Sequence, residues 1–407
     1  MVLSEGASLP EDIYETLVSV WRSRGGRGAR VSRGDPGRLS QDEMYAVSRR
    51  IRDLSRGFTR ERSLAGERYL GDPELLGAYL LHYWPISFCQ AALCLRMMRR
   101  TRGEAQLGSA LDVGAGPGPV SLALLHAGAR RVTASDRSGA ALDLARRIAD
   151  DRGYPLSTRQ WDALSTTGMP PGPFDVIALA HTLNELWAGH PERIALRTSL
   201  LLRLGEQLAP QGRLLVIEPA LMQTAQEAIR VRDGLARAGY IVEMPCIWQA
   251  DCPALPDATC HGEFEWSPPR EMVRLSHMAR IGRESLKMAW FILRKDAPAR
   301  AAPSPADANP GQGPDQGPDQ GPDGGTYRVV SEPLLSKSGR IRYLVCGPLG
   351  RFALSAPKGS PGAGVKPFYT LKRGEGIRFA GARKRESGWG LDGNSRIEVV
   401  ERLPKAK

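Results

Sequence analysis

The sequence predicts an α/β fold: a parallel, Rossmann-like sheet with an α-helical part before it and a small β-rich module after it. Three observations predict this. From Ala110 onward, short apolar runs alternate with amphipathic stretches, the pattern of a parallel sheet whose crossovers are helices. The run LDVGAGPG sets three glycines at every second position behind one apolar segment. Beyond residue 325 the pattern changes to short runs separated by Gly, Pro and Ser, as in a small β-barrel or sandwich.

The chain of 407 residues is long enough for two or three domains. Residues 1–38 read as a flexible basic N-terminal arm, because Gly, Arg and Ser dominate Arg22 to Arg38 without apolar period. The N-terminus has neither a basic leader nor a continuous apolar core, which predicts a cytoplasmic protein. Residues 39–106 read as a helical lead-in: Ser40 and Glu43 form a capping box before Met44, Val47, Ile51 and Leu54 at helical spacing. Leu75 to Leu95 carries no formal charge, but His82, Pro85, Ser87 and Gln90 interrupt it, so it predicts a buried helix pair and not a membrane span. Cys89 and Cys94 in that run read as small buried hydrophobes.

Residues 107–295 hold the alternating core. ALDVGAG, RVTASD, STRQWDA, FDVIALAH and RLLVIEP are five strands, and YIVEMPC and SLKMAWFILRK close the sheet as a sixth and seventh. A cysteine-rich insertion, residues 246–284, lies between the last two. Residues 296–325, with their QGPD repeat, read as a disordered Gly/Pro/Asp linker, and residues 326–407 as a separate basic β-rich module. That module holds most of the formal charge of +12: from Tyr327 to Lys407 there are 17 Lys and Arg against 6 Asp and Glu.

In LDVGAGPG, Asp112 ends a strand and Gly114, Gly116 and Gly118 allow the backbone to turn sharply against a ligand. Pro119 breaks the G-x-G-x-x-G dinucleotide fingerprint. Asp136, at the tip of the next strand, is placed for a ribose diol, and Asp162, after the third, for an adenine amino group. From Leu107 to Lys295 this arrangement resembles class I S-adenosylmethionine-dependent methyltransferases, which implies S-adenosylmethionine as cofactor. The fourth strand ends in HTLNEL, where Asn184 and Glu185 are the candidate catalytic residues; Glu185 reads equally as a general base or as a helix cap. Neither the N/D-P-P-Y signature of exocyclic base methylation nor a cysteine for attack on a pyrimidine ring is present there.

Cys246, Cys252, Cys260 and the distant Cys346 form a second constellation. A chain without an export signal has little means of keeping them as disulfides, so a soft metal is the expected partner. Their spacing lacks the C-x-x-C knuckle of structural zinc sites, and iron–sulfur clusters tolerate irregular spacing; from chemistry alone a [4Fe–4S] cluster and zinc both stand open, with His261 as a spare ligand. In the tail, Lys366, Lys372, Arg373, Arg378, Arg383, Lys384 and Arg385 are interleaved with Phe368, Tyr369, Phe379 and Trp389. The cations suit RNA phosphates, and the rings either stack on unpaired bases or form the module's own core.

Taken in order, LSRGFTRERSLAGERYLGDPELLGAYLLHYWP, the glycine motif, HTLNEL, VIEPAL with the following Arg232, the three-cysteine loop and the distal cysteine resemble the small-ribosomal-subunit methyltransferase-like family. Its members are found in bacteria and as a mitochondrial ribosome assembly factor. The resemblance spans about Leu39 to Arg402 and implies that Cys246, Cys252, Cys260 and Cys346 ligate a [4Fe–4S] cluster. It further implies that the protein acts on the small ribosomal subunit through its ribosomal RNA, either as a methyltransferase or as a non-catalytic assembly factor. No membrane or DNA partner is expected, and the free protein is expected to be monomeric. A small-molecule methyltransferase would fit the fold but leaves the basic segments without a purpose.

Overall fold

A computed structural model describes residues 7–25, 36–56, 70–102, 107–282, 284–295, 324–336, 339–359, 362–386 and 388–402. The first helix, α1 (Glu11–Ser23), lies where the composition predicts part of a flexible arm. That expectation is corrected by the helix's own apolar stripe: Ile13, Tyr14, Leu17, Val18 and Trp21 are buried, and the Trp21 indole donates to the Pro73 carbonyl at 2.8 Å. Burying side chains of this size contributes about 1.5–3 kcal/mol each, enough to anchor a short helix whatever its basic flank. Residues 1–6 and 26–35 of the expected arm lie outside the described residues.

Helix α2 (Gln41–Arg56) opens on the expected capping box, with the Ser40 amide donating to Glu43 Oε2 at 2.7 Å and the Glu43 amide to Ser40 Oγ at 3.3 Å. The uncharged run then forms α3 (Pro73–Ala78), a π-helical turn over Tyr79–Tyr83, and α4 (Trp84–Arg102). Leu80, Leu81, Trp84, Phe88, Cys89 and Cys94 are buried against the sheet, and among the described residues no helix is long and apolar enough to cross a membrane.

The central sheet has nine strands: β1 (Ala7–Ser8), β2 (Ser109–Val113), β3 (Arg131–Asp136), β4 (Leu156–Gln160), β5 (Phe174–Ala180), β6 (Leu208–Pro219), β7 (Tyr240–Met244), β8 (Gly262–Ser267) and β9 (Ser285–Lys295). Strands β2 to β6 run parallel in the order β4-β3-β2-β5-β6, and β9 adds antiparallel to β6. Helices α5 (Pro119–His126), α6 (Gly139–Asp151), α7 (Arg193–Gly205) and α8 (Met222–Arg237) make the crossovers. One large core cluster joins the N-terminal helices to the sheet, and a second packs α7 and α8 against it.

The insertion is more ordered than a loop. It contributes β8 and α9 (Arg270–Ala279), and β8 carries the added β1 on its outer side. Strands β7 and β8 both pair with β9 on one side, end to end: Met244 faces Ile292 and Gly262 faces Met288. The cysteine loop, residues 245–261, springs from the break between them.

The linker expected over residues 296–325 lies outside the described residues up to residue 323. The module behind it has β10 (Tyr327–Val329), β11 (Leu334–Leu335), β12 (Arg340–Gly347), β13 (Gly350–Pro357), β14 (Gly376–Ala380), β15 (Arg383–Arg385), β16 (Gly388–Gly390) and β17 (Arg396–Glu401). They form one sheet, ordered β15-β16-β13-β12-β10-β14-β17, with β11 beside β12. Of the two roles open to the rings, Phe368 and Phe379 take the core: both are buried among Tyr327, Tyr343 and Leu354, and the Tyr369 hydroxyl is bonded to the Pro357 carbonyl at 2.6 Å. Stacking on bases by Phe368 and Phe379 is thereby ruled out, whereas Lys366, Lys372, Arg378, Arg383, Lys384 and Arg385 face solvent.

Candidate functional sites in the methyltransferase-like domain and at its junction with the basic module

The sheet order reverses between β2 and β5, and in open α/β sheets ligands bind at such a switch point, beyond the carboxyl ends of the strands. The glycine loop lies there. Gly114 adopts φ +69°, and a side chain on it would meet Thr182 Oγ1 at 2.4 Å, so only glycine brings the loop this close to the end of β5. Gly118, at φ +77°, caps the start of α5 against Ala145. The loop is further held by the Trp84 indole, which donates to the Pro117 carbonyl at 3.0 Å.

The acids flank this loop differently. Asp112 is buried and accepts from Ser121 Oγ at 2.6 Å; burial pushes its carboxyl up to about 7, with Asp136 adding to the rise and the Ser121 bonds opposing it. Asp136 accepts from the Gly116 amide at 2.8 Å and the Ser138 amide at 2.9 Å, so it closes the glycine loop from the tip of β3. Asp162 is exposed and makes a local turn with the Leu164 amide, while Trp161 beside it donates its backbone N–H to the Asp136 carbonyl at 3.0 Å. Thus Asp112, Gly114, Gly116, Gly118 and Asp136 form one cluster, with Asp162 at its margin.

The HTLNEL turn is held from behind by residues the sequence reading did not single out. Glu218, buried at the end of β6, accepts from the Leu183 amide at 3.0 Å and from Asn184 Nδ2 at 2.7 Å; burial raises its carboxyl to about 7 against these bonds and Arg197. Arg197, also buried, donates to the Asn184 and Leu186 carbonyls and pairs with Glu227 at 2.7 Å. The amide of Asn184 is therefore occupied in positioning the turn, and Glu185 is exposed. His181, at φ +57°, meets Gln90 of α4 at 2.8 Å, which ties the helical lead-in to the end of β5. The one sequence signal for Glu218 is a lone acid closing the apolar run LLVIEP.

Residues 110–205 match a family model described as a methyltransferase domain. The core is a class I methyltransferase fold. Among similar solved structures are a ribosomal protein L11 methylase from Lactobacillus delbrueckii subsp. bulgaricus (17% identity, 50% of this chain and 78% of that one, TM-score 0.31) and a methyltransferase from Pyrococcus furiosus (16% identity, 49% and 82%, TM-score 0.32). Another is a mitomycin 7-O-methyltransferase (16% identity, 63% and 69%, TM-score 0.35). No curated protein matches the chain. The methyltransferase domain implies S-adenosylmethionine as cofactor, and the glycine cluster fits it: a turn without side chains at Gly114 and Gly118 leaves backbone alone at the switch point.

The second site joins the methyltransferase-like domain to the basic module. Cys246, Cys252, Cys260 and Cys346 all line one cavity of about 70 Å³, several times the space a single water needs. Burial and then the neighbouring thiols push Cys260 and Cys346 up to about 12, and for Cys346 those neighbours are Cys246, Cys260 and Cys252. Three arginines of the module, Arg328, Arg351 and Arg373, line the cavity opposite Arg232 of α8. The Nε atoms of Arg232 and Arg328, the Trp290 indole nitrogen and His261 Nδ1 are buried without a hydrogen-bond partner, while Arg373 Nε pairs with Glu332 at 3.5 Å. Burial and Arg373 hold His261 down at about 4, so its ring is neutral. A Lys372–Glu265 ion pair bridges the two bodies beside the cavity. Among the described residues no three His, Cys, Asp or Glu side chains converge tightly enough to hold a single metal ion.

Proposed function

We propose that this protein is a methyltransferase-like factor of the small ribosomal subunit that binds S-adenosylmethionine at the glycine cluster and an iron–sulfur cluster at the four cysteines. The observation that carries the reading is the cavity itself, where thiols from two bodies stand around one space walled by unpartnered nitrogen donors. Zinc gathers its four ligands onto one point, whereas the thiolates of a [4Fe–4S] cluster bind separate irons around a larger anionic body. The four thiols on one cavity are compatible with either, and the family resemblance supports the cluster over zinc. Cys246, Cys252, Cys260 and Cys346 would be its ligands.

S-adenosylmethionine supplies an electrophilic methyl group, so the chain's task is alignment. Asp136 and the glycine turn would hold the nucleoside end, and Glu218 with Arg197 would keep the HTLNEL turn at the mouth of the site. The basic module supports an RNA partner through its charge, and the family resemblance supports the small ribosomal subunit. A second reading, a non-catalytic assembly factor on the same fold, is favoured by one observation: the Asn184 side-chain amide is already engaged by Glu218 in holding the turn.

The two readings separate on incubation with radiolabelled cofactor and immature small subunits. Label that enters RNA and is lost with Asp112→Ala supports the enzyme; tight binding with no label selects the assembly factor. Anaerobic purification tests the metal. About four irons per chain, lost with Cys252→Ser, are expected, and a colourless protein with stoichiometric zinc overturns the cluster.

A further inference from the structure

Helix α8 serves two loops from two faces. Glu227 reaches the HTLNEL turn through Arg197, while Gln226, Asp233 and Arg237, which share a helical face, all bond the cysteine loop. Gln226 Nε2 donates to the Pro256 carbonyl at 2.7 Å and the Ala258 carbonyl at 3.1 Å. Arg237 pairs with Asp251 at 2.9 Å. Asp233 Oδ2 accepts from the Cys252 amide at 3.1 Å.

Arg232 lies at the centre of this set. The residue is 2% exposed, and its guanidinium donates to Asp233 Oδ1 at 2.7 Å, to the Ala250 carbonyl at 2.5 Å and to the Trp248 carbonyl. Its Nη2 stands 3.8 Å from the Cys246 sulfur, and its Nε has no partner. A buried guanidinium is costly unless paired. Here one carboxylate answers the charge while Asp233's other oxygen is already taken by Cys252, which leaves a donor-rich cation directed at a thiol.

We propose that Arg232 is a positioning residue of the four-cysteine site: it fixes the loop that carries Cys246 and Cys252 before anything binds, and it donates to the Cys246 sulfur so as to raise the reduction potential of the bound cluster. The inference rests on the cluster reading above. Hydrogen bonds to ligand sulfurs stabilise the more negative, reduced state, and loss of a partner behind a metal ligand typically costs about ten- to hundredfold in metal affinity. Lysine cannot replace this group, because one ammonium does not span two carbonyls, a carboxylate and a sulfur at once.

The test compares full-length wild type and Arg232→Lys after anaerobic reconstitution. Iron content, the rate of iron loss to a chelator and the midpoint potential from a spectroscopic redox titration are measured, with thermal melting to check the fold. Arg232→Lys is expected to take up iron, lose it on the order of tenfold faster and titrate at a more negative potential. Wild-type retention and potential in Arg232→Lys overturn the inference while leaving the cluster standing. A wild-type protein that takes up no iron overturns the cluster and this inference together. Should Arg232→Lys not fold, Asp233→Asn, which weakens the hold on Arg232 and on the Cys252 amide, is expected to shift retention in the same direction, and an unchanged value counts against the proposal.

Discussion

Cys260 and Cys346 stand 86 residues apart, one in the loop between β7 and β8 and the other on β12, yet they line one cavity. Cys346 is buried at the end of a strand that pairs along its whole length with β13, so this thiol is carried by a rigid sheet. Whatever binds the four cysteines must therefore also bind the module to the methyltransferase-like domain.

Cys346→Ser is accordingly expected to loosen the module more than the cofactor site. RNA binding by filter retention should fall severalfold, and S-adenosylmethionine binding by calorimetry should change little. Equal losses in the two measurements would remove the joint from the account.

Gly114→Ala places a side chain against Thr182 in a left-handed backbone conformation. Strain of about 1–3 kcal/mol, together with the contact, is expected to shift the loop and weaken cofactor binding at least tenfold. The far-UV circular dichroism spectrum should stay that of the wild type. Adding Thr182→Ala should restore part of the affinity, since it removes the two closest atoms, Oγ1 and Cγ2, but neither Cβ nor the backbone strain.

Asp112 and Glu218 give the fold a pH dependence of known sign. Both carboxyls are raised to about 7 by burial, far above their unfolded values near 4. Stability from these groups is full below about pH 4 and is lost as pH rises toward about 7, because burial then holds an anion. Asp112→Asn should flatten that fall, read as the difference between urea midpoints at pH 5 and pH 7.5. A wild-type slope in the variant would show that Asp112 titrates normally.

The charged edge strand β15 predicts a salt signature. Replacing Arg383, Lys384 and Arg385 with alanine should lower RNA affinity and reduce the slope of log affinity against log salt by about 0.7–0.9 per lost phosphate contact. Phe379→Ala should act differently, destabilising the module by about 3–5 kcal/mol as a core truncation. If Phe379→Ala weakened RNA binding without changing the melting of the module, the ring would have a role beyond packing.

Much of the fold class was legible because it is written in local periodicity. The alternation of runs such as RVTASD and FDVIALAH marks the strands, and DVGAGPG marks the switch-point turn through the conformations that only glycine adopts readily. Helix α1 escaped notice because the arginines and glycines that follow Trp21 dominate the composition, while Ile13, Leu17 and Trp21 carry the helix. The shared cavity, Glu218 behind Asn184 and Gln90 against His181 leave no periodic trace, since each joins residues far apart in the chain. The rings of the module were ambiguous for a related reason: Phe368 and Phe379 sit among cations in sequence, and only the sheet decides which side they face.

Strand β9 also acts as a ruler. Ile292 and Met288 hold the last residue of β7 and the first of β8, so the feet of the cysteine loop stand about 13 Å apart at the usual rise per residue. A hydrogen-bonded strand in the middle of a sheet does not stretch or shorten, so that span stays the same whether the site is loaded or bare. Three of the cysteines thus hang from a frame of constant width, and the fourth meets them from a separate sheet.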